Sequence, residues 1–319
     1  MRVLVTGGAG YIGNVLVPTL VANGHEVKVL DLFTYGNHFE AEAKIVKGKI
    51  TDIETVLAAS KDVDAIIHLA AVVGDPCGNL LPDQTLSVNY LATENLVKVA
   101  KHLNIKKFIF SSTCSVYGFR DGTCYETTAL NPISNYAKTK VLAEEVIRSV
   151  PEINPIILRF ATVYGLSPRM RFDLVANLLI AKSLSEKKIT VYGNGLQYRP
   201  LVHVRDIAGA VKMALENDVM NCDVFNVGSN EQNYTVKALA EEIQRNVEGA
   251  ELAFIPEKED NRSYKVDFSK ISKLGYKTRF NLAHAVKEIK GALDEGIITD
   301  YRDKKFSNFK TMSEAIKKC

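Results

Sequence analysis

Residues 6–13 read TGGAGYIG, with four glycines directly after the β-branched run RVLVT and directly before a helix-forming stretch. Glycine loses more conformational freedom on folding than any other residue. A cluster of four therefore marks backbone that must turn tightly or approach another group closely. A strand passing through such a turn into a helix opens a parallel α/β layer, and the rhythm continues. Short apolar runs at HEVKVLD, AKIVKG, DAIIHLA, KKFIFSS and NPIILRF alternate with segments of helical length, among them residues 11–23, 87–103 and 135–150. Strands separated by helices imply an α/β fold with a doubly wound parallel sheet and helices on both faces.

From about residue 169 the pattern changes. RFDLVANLLIAKSL reads as a helix, KITVYG as a strand, GNGLQYRPLVHVRD as a loop and strand, and IAGAVKMALEN as a helix. The strand DVFNVG, the helix TVKALAEEIQRNV, the strand ELAFIP and a charged tail of short helices follow. The chain is expected to divide into a Rossmann-type sheet domain over 1–168 and a smaller C-terminal α/β substrate lobe over 169–319. No low-complexity linker separates the two, so the lobe is expected to interleave with the sheet domain, some of its strands returning to the main sheet.

Charge and cysteine content narrow the partners. Forty Lys and Arg stand against 37 Asp and Glu, spread evenly, for a net charge of +3. Without a basic block, neither nucleic acid nor a membrane surface is expected as a partner. Five cysteines, Cys77, Cys114, Cys124, Cys222 and Cys319, form an odd set without CxxC spacing. That argues against a disulfide framework and against a metal site, and for reduced thiols in the cytoplasm. The first apolar run is broken by Gly7, Gly8 and Gly10, unlike a signal peptide, and no later run has the length of a membrane span.

Gly8-Ala9-Gly10-Tyr11-Ile12-Gly13 fits G-x-G-x-x-G in the strand-to-helix setting that a dinucleotide fingerprint demands. The early glycines let the backbone approach a pyrophosphate at the positive end of the helix, and Gly13 allows close helix–strand packing. The second strand ends at Asp31, where a carboxylate accepts hydrogen bonds from both hydroxyls of the adenine ribose. Leu32, Phe33 and Thr34 follow and offer no cation for a 2′-phosphate, which favours NAD over NADP.

Tyr136 and Lys140 lie four residues apart at the start of a helix and so share one face. An ammonium and the positive nicotinamide ring would favour the phenolate of a neighbouring tyrosine, fitting it to take a proton from an alcohol as hydride leaves for NAD. FIFSSTCSVYG, residues 108–118, is a strand ending in hydroxyls suited to a substrate alcohol. With these pieces in order, the chain resembles the extended short-chain dehydrogenase/reductase family, in its nucleotide-sugar epimerase/dehydratase branch. The resemblance is carried by TGGAGYIG, Asp31, HLAA at 68–71, SSTCSVYG and YAKTK. LRFATVYG, YRPLVHVRD and NRSYKVDFSKI extend it over nearly the whole chain.

The resemblance implies that Tyr136 is the general base, that Lys140 binds the ribose and lowers the tyrosine's pKa, and that Thr113 bonds the reacting sugar oxygen. It places Gly7, Gly10, Tyr11, Ile12, Asp31, Ile50, Leu69, Ala70, Ala71, Tyr136 and Lys140 around NAD. Thr113, Asn177, Arg199 and Arg262 fall around a nucleotide-diphosphate sugar, the arginines gripping the diphosphate through their planar forks. His68 and His203 read as structural, and Cys114 as a half-buried free thiol. The family implies a homodimer through a four-helix bundle built on the segments near 87–103 and 135–150, with Leu91, Val141 and Ala143 as interface residues.

Two departures narrow the chemistry. Lys49 precedes Ile50 where many relatives carry an acid that bonds the adenine. The 4,6-dehydratases of this branch follow the threonine with an aspartate and a glutamate, whereas Cys114 and Ser115 follow Thr113 here. Oxidation at a sugar carbon, C4 by the resemblance, remains. A 4-epimerase and a 4-dehydrogenase or 4-keto reductase, in surface-polysaccharide sugar biosynthesis, are the two principal expectations. A 4,6-dehydratase and a non-catalytic NAD-binding sensor or scaffold are the alternatives.

Overall fold

The computed structural model describes residues 1–39, 41–256 and 263–317. Its central sheet has seven parallel strands, in the order Asp223–Val227, Pro155–Phe160, Phe108–Thr113, Ala65–His68, Arg2–Thr6, Glu26–Asp31 and Lys44–Lys47. Ala65–His68, Phe108–Thr113 and Pro155–Phe160 are buried along their whole length. Strands covered by helices on both faces have no solvent side, which is why they read as continuous apolar runs instead of alternating ones. One apolar core fills each face of the sheet and a third lies in the C-terminal lobe.

The strand order runs outward from Arg2–Thr6 and Ala65–His68. Loops leaving the carboxyl ends of these two strands therefore diverge and open a crevice, the place where ligands bind in sheets of this type. Asp223–Val227 lies in the C-terminal stretch of the chain yet pairs with Pro155–Phe160 at the sheet's edge. Nearby, Thr162–Tyr164, Tyr198–His203 and Asn233–Thr235 form a three-stranded sheet, and Ser263–Val266 pairs with Phe119–Cys124.

One expected helix is altered. Residues 87–103 are a π-helical turn, Ser87–Leu91, continuing into the α-helix Ala92–His102. The turn holds Asn89, whose amide exchanges hydrogen bonds with Val72 N (2.7 Å) and Val72 O (3.0 Å) and donates to Thr139 Oγ1 (3.2 Å). Such π-turns re-aim a side chain at the cost of helix regularity, and here the amide ties the crevice wall to the helix Asn135–Arg148. Among the described residues, no helix is long and apolar enough to cross a membrane.

Candidate active site

The crevice is a cleft of about 1040 Å³ lined by both halves of the chain. Gly7, Gly10, Tyr11, Ile12 and Gly13 form its floor. Gly7 has φ +74°, and a Cβ there would lie 2.6 Å from Ala70 N; a Cβ on Gly13 would lie 2.3 Å from Gly8 O. Gly8 turns away from the cleft, and a Cβ on it would meet Val29 at 2.7 Å. The glycines that shape the turn are thus 7, 10 and 13, one frame removed from the G-x-G-x-x-G reading. The helix Gly13–Ala22 begins without a side-chain cap or an acidic residue in its first turn, leaving its positive end for a phosphate.

Asp31 stands at the end of its strand on the same wall. Its carboxylate accepts from Ala9 N (3.0 Å) and Phe33 N (2.8 Å), fixing it beside the glycine turn. Burial pushes its pKa upward, against these backbone bonds. Ile50, Leu69, Ala70 and Ala71 line the cleft, as does Lys49. The acid nearest to Lys49 in sequence, Asp52, caps the helix Ile53–Ser60 through Glu54 N.

The helix Asn135–Arg148 carries the proposed chemistry. Ser134 caps it, accepting from Ala137 N (3.1 Å) and donating to Asp75 Oδ1 (2.5 Å), so Tyr136 is held within the first turn. Tyr136 is hydrogen-bonded to Thr113. Lys140 donates to Ser111 O (2.7 Å), and its Nζ lies 4.5 Å from the centroid of Phe110. One turn further on, Glu144 accepts from Ser112 Oγ (2.5 Å). Three side chains on one helical face thus meet three successive residues of one strand. The register is locked from behind by Arg159, which donates to both Glu144 oxygens (2.6–3.2 Å), to Tyr117 Oη (3.1 Å) and to Glu126 O (3.1 Å).

Electrostatics at this face depart from expectation. Burial drives the Tyr136 phenol up, with Asp75 adding to the rise and the Thr113 hydrogen bond and Arg171 working against it. Burial pushes Lys140 down to about 7, and Glu144 pulls it back up. The side chains alone therefore do not bring the phenolate to neutral pH. A further positive charge beside the phenol is needed, which the oxidised nicotinamide ring supplies when NAD is bound.

Arg199 is buried in the cleft wall and donates to Tyr198 O (2.7 Å). Arg262 and Cys319 lie outside the described residues. Asn177 corrects an expectation: it is 0 % exposed and its amide is used internally. It accepts from Gly165 N (2.9 Å) and donates to Tyr11 Oη (3.0 Å) and Arg171 O (2.9 Å). It braces the cleft from behind and does not line it. Cys114 is fully buried, not half-buried, with its Sγ donating to Arg159 O (3.3 Å); burial pushes the thiol well up. His68 lies between Thr6 and Thr93 hydroxyls (2.7 and 2.9 Å), and burial lowers its pKa to about 3. His203 is buried against Phe280 and Glu288.

Sequence reasoning missed several cleft residues. Tyr35, Arg169, Arg171 and Asp173 line it, as do Asn308, Phe309 and Met312 of the final helix Asn308–Lys317. PRMRFD, two arginines and an aspartate just before a helix, was a readable signal. Nothing local marks residues 308–312, which reach the cleft only through the packing of the chain's end.

A parallel sheet with a glycine turn at its switch point and a Tyr/Lys/Thr face across the cleft defines a dinucleotide-dependent enzyme of the short-chain dehydrogenase type. Residues 3–228 match the model of the NAD dependent epimerase/dehydratase family, and the chain belongs to that family. It is 32% identical over 257 residues to an uncharacterized UDP-glucose epimerase of Bacillus subtilis, YtcB, covering 75% of this chain and 80% of the relative. It is 29% identical to a putative UDP-glucose 4-epimerase of Methanocaldococcus jannaschii over 298 residues, 90% of this chain and 96% of the relative. The UDP-glucose 4-epimerase of Thermotoga maritima, solved with UDP-glucose, superposes with a TM-score of 0.84 at 26% identity, covering 93% of this chain and all of that one. The UDP-glucuronic acid 4-epimerase of Bacillus cereus, solved with UDP-glucuronic acid and NAD, gives 0.82 at 26% identity over 92% of this chain and 99% of that one.

Proposed function

We propose that the chain is a 4-epimerase of a nucleotide-diphosphate hexose or heptose. Gly7, Gly10, Tyr11, Ile12, Asp31, Ile50 and Leu69–Ala71 hold NAD, with Lys140 on its nicotinamide ribose. Thr113 and Tyr136 receive the C4 hydroxyl and Tyr136 removes its proton; bound NAD would supply the hydride acceptor for C4. Epimerisation would be completed by return of that hydride to the other face of C4, with Tyr136 giving its proton back to the C4 oxygen. Arg199, with Arg262 by family position, holds the substrate diphosphate.

The observation that carries this reading is the make-up of residues 113–115. Thr113 is bonded to Tyr136, yet the next two positions offer no carboxyl group. Cys114 is buried, and Ser115 lines the cleft with its hydroxyl 3.5 Å from Tyr264 Oη. Neither can protonate a leaving C6 hydroxyl, which disfavours the dehydratase.

The test is to incubate the protein with a panel of nucleotide hexoses and heptoses, with and without a keto-acid oxidant, and to weigh the products. The expected product has the mass of its substrate. A 4-keto sugar two hydrogens lighter, formed only with the oxidant, would make the chain a 4-dehydrogenase or, in reverse, a keto-sugar reductase. Loss of one water would restore the dehydratase, and no turnover on any substrate would favour a binding role.

The homodimer is part of the same reading, with one correction. Ala143 is packed inside the protomer's own core and Val141 is half-buried against it. Leu91 and Leu142 are exposed apolar residues on these helices, and Leu86 is exposed at the end of the preceding helix Pro82–Leu86, so the three are proposed as the pairing surface. Sedimentation velocity at micromolar concentration should show a dimer, and Leu91→Glu with Leu142→Glu should give a monomer.

A further inference from the structure

Arg169 is a buried cation, 4 % exposed, that among the described residues forms no ion pair, Asp173 acting on it only through space. Its Nη2 donates to the neutral Asn308 Oδ1 (2.5 Å), its guanidinium stacks on Tyr35 (3.8 Å to the centroid), and its Nε has no partner. The nearby carboxylate of Asp173 is already taken, receiving Arg171 Nε (2.9 Å), Arg171 Nη2 (3.0 Å) and Asn308 N (3.0 Å). Two guanidiniums thus stand near one carboxylate in the cleft wall, and only that of Arg171 is bonded to it. An unpaired buried charge is costly, and a chain retains one where a ligand completes the pair.

Arg169's place narrows the ligand. Ser167 Oγ donates to Tyr11 O (2.7 Å), and Tyr11 Oη donates to Gly165 O (2.5 Å). These bonds pin segment 165–167 onto the glycine turn, and Arg169 follows two residues later. It contacts Tyr35, four residues past Asp31, and both line the same cleft.

We propose that Arg169 binds a phosphate oxygen of a diphosphate in the cleft, and that its place against Tyr35, just after the segment pinned to the glycine turn, assigns it to the dinucleotide's diphosphate. The planar fork suits two phosphate oxygens. Burial and Arg171 lower the guanidinium to about 10, so it remains cationic at neutral pH. The inference concerns cofactor binding alone and is independent of which sugar reaction the enzyme performs.

The test uses the full chain, stripped of retained nucleotide, and calorimetric titration with NAD, adenosine and UDP. Arg169→Met should weaken NAD about ten- to a hundred-fold, the range for a lost charged hydrogen bond. Adenosine and UDP should be unaffected, and the melting temperature of the stripped protein should rise because an unpaired buried charge is gone. Arg169→Lys, which keeps charge without the fork, should recover part of the NAD affinity and serves if the Met variant does not fold. Weakened UDP with unchanged NAD would overturn the assignment to the dinucleotide and give Arg169 to the nucleotide sugar. Unchanged affinity for both, with a lower melting temperature, would overturn the proposal and make Arg169 a strut for the final helix.

Discussion

Tyr136→Phe should reduce turnover by about 10²-fold or more, the scale for losing a positioned acid/base group, while leaving nucleotide binding nearly intact. The substitution removes one oxygen and keeps the ring. The backbone of Tyr136 packs tightly against Gly78, where a Cβ would lie 2.9 Å from Tyr136 N, and Tyr136 lines the cleft, so keeping the ring preserves the wall. The lost atom is the one bonded to Thr113, at the end of the strand whose Ser111 O accepts from Lys140. Titration with NAD and UDP should match the wild type within about threefold, because neither the glycine turn nor Arg199 changes. Turnover within about tenfold of wild type would move the proton acceptor elsewhere, with Tyr264 as the next phenol lining the cleft.

Glu144→Ala should destabilise the protein by about 3–5 kcal/mol, the cost of leaving a buried partner charge uncompensated. Glu144 and Arg159 are both 2 % exposed and joined at 2.6 Å. Burial alone would lower the Arg159 pKa, but the hydrogen bonds and charge of Glu144 outweigh it and raise it. Among the described residues, alanine leaves a guanidinium in the sheet's interior with Tyr117 Oη and Glu126 O as its remaining acceptors. Urea unfolding checks the magnitude, and a loss below about 1 kcal/mol would contradict it. Replacing both residues by apolar ones of similar volume should recover most of the loss, since a buried pair can be exchanged for packed hydrocarbon.

The same substitution carries a pH signature. Lys140 is lowered to about 7 in the folded chain, against ~10.5 when unfolded. Between these values the unfolded chain binds the additional proton, so this group makes stability rise with pH through that window. Removing Glu144 takes away the charge that holds Lys140 up, which extends the rise to lower pH. Loss of the buried pair without any change in the slope of stability against pH would show that Glu144 does not act on Lys140.

The glycine turn, Asp31 and the Tyr136–Lys140 face were legible locally, because each is written into a short motif. A strand, a glycine turn and a helix must be contiguous to make a phosphate-facing turn, and Tyr136 and Lys140 share a face because a helix repeats every 3.6 residues. Asp31 was readable as a strand-end acid. What these motifs leave open is which side chains from distant segments complete each group. Asn177 matched a family position, yet three internal hydrogen bonds remove it from the cleft. Ala143 had an apolar residue's pattern, but helix rotation turns it into the protomer's own core.

Arg169 and Asn308 stand 139 positions apart and meet only because the final helix packs against Asp75–Leu80 beside the cleft. Glu144 reads as a surface acid of an amphipathic helix until the neighbouring strand delivers Arg159 beneath it. The sequence by itself determined the sheet, the turn and the reactive groups, since these follow from local periodicity and residue chemistry. Only the tertiary structure decided which charges were paired, which were left for a ligand and which apolar positions faced outward. Burial and partnership are set by segments that no local pattern connects.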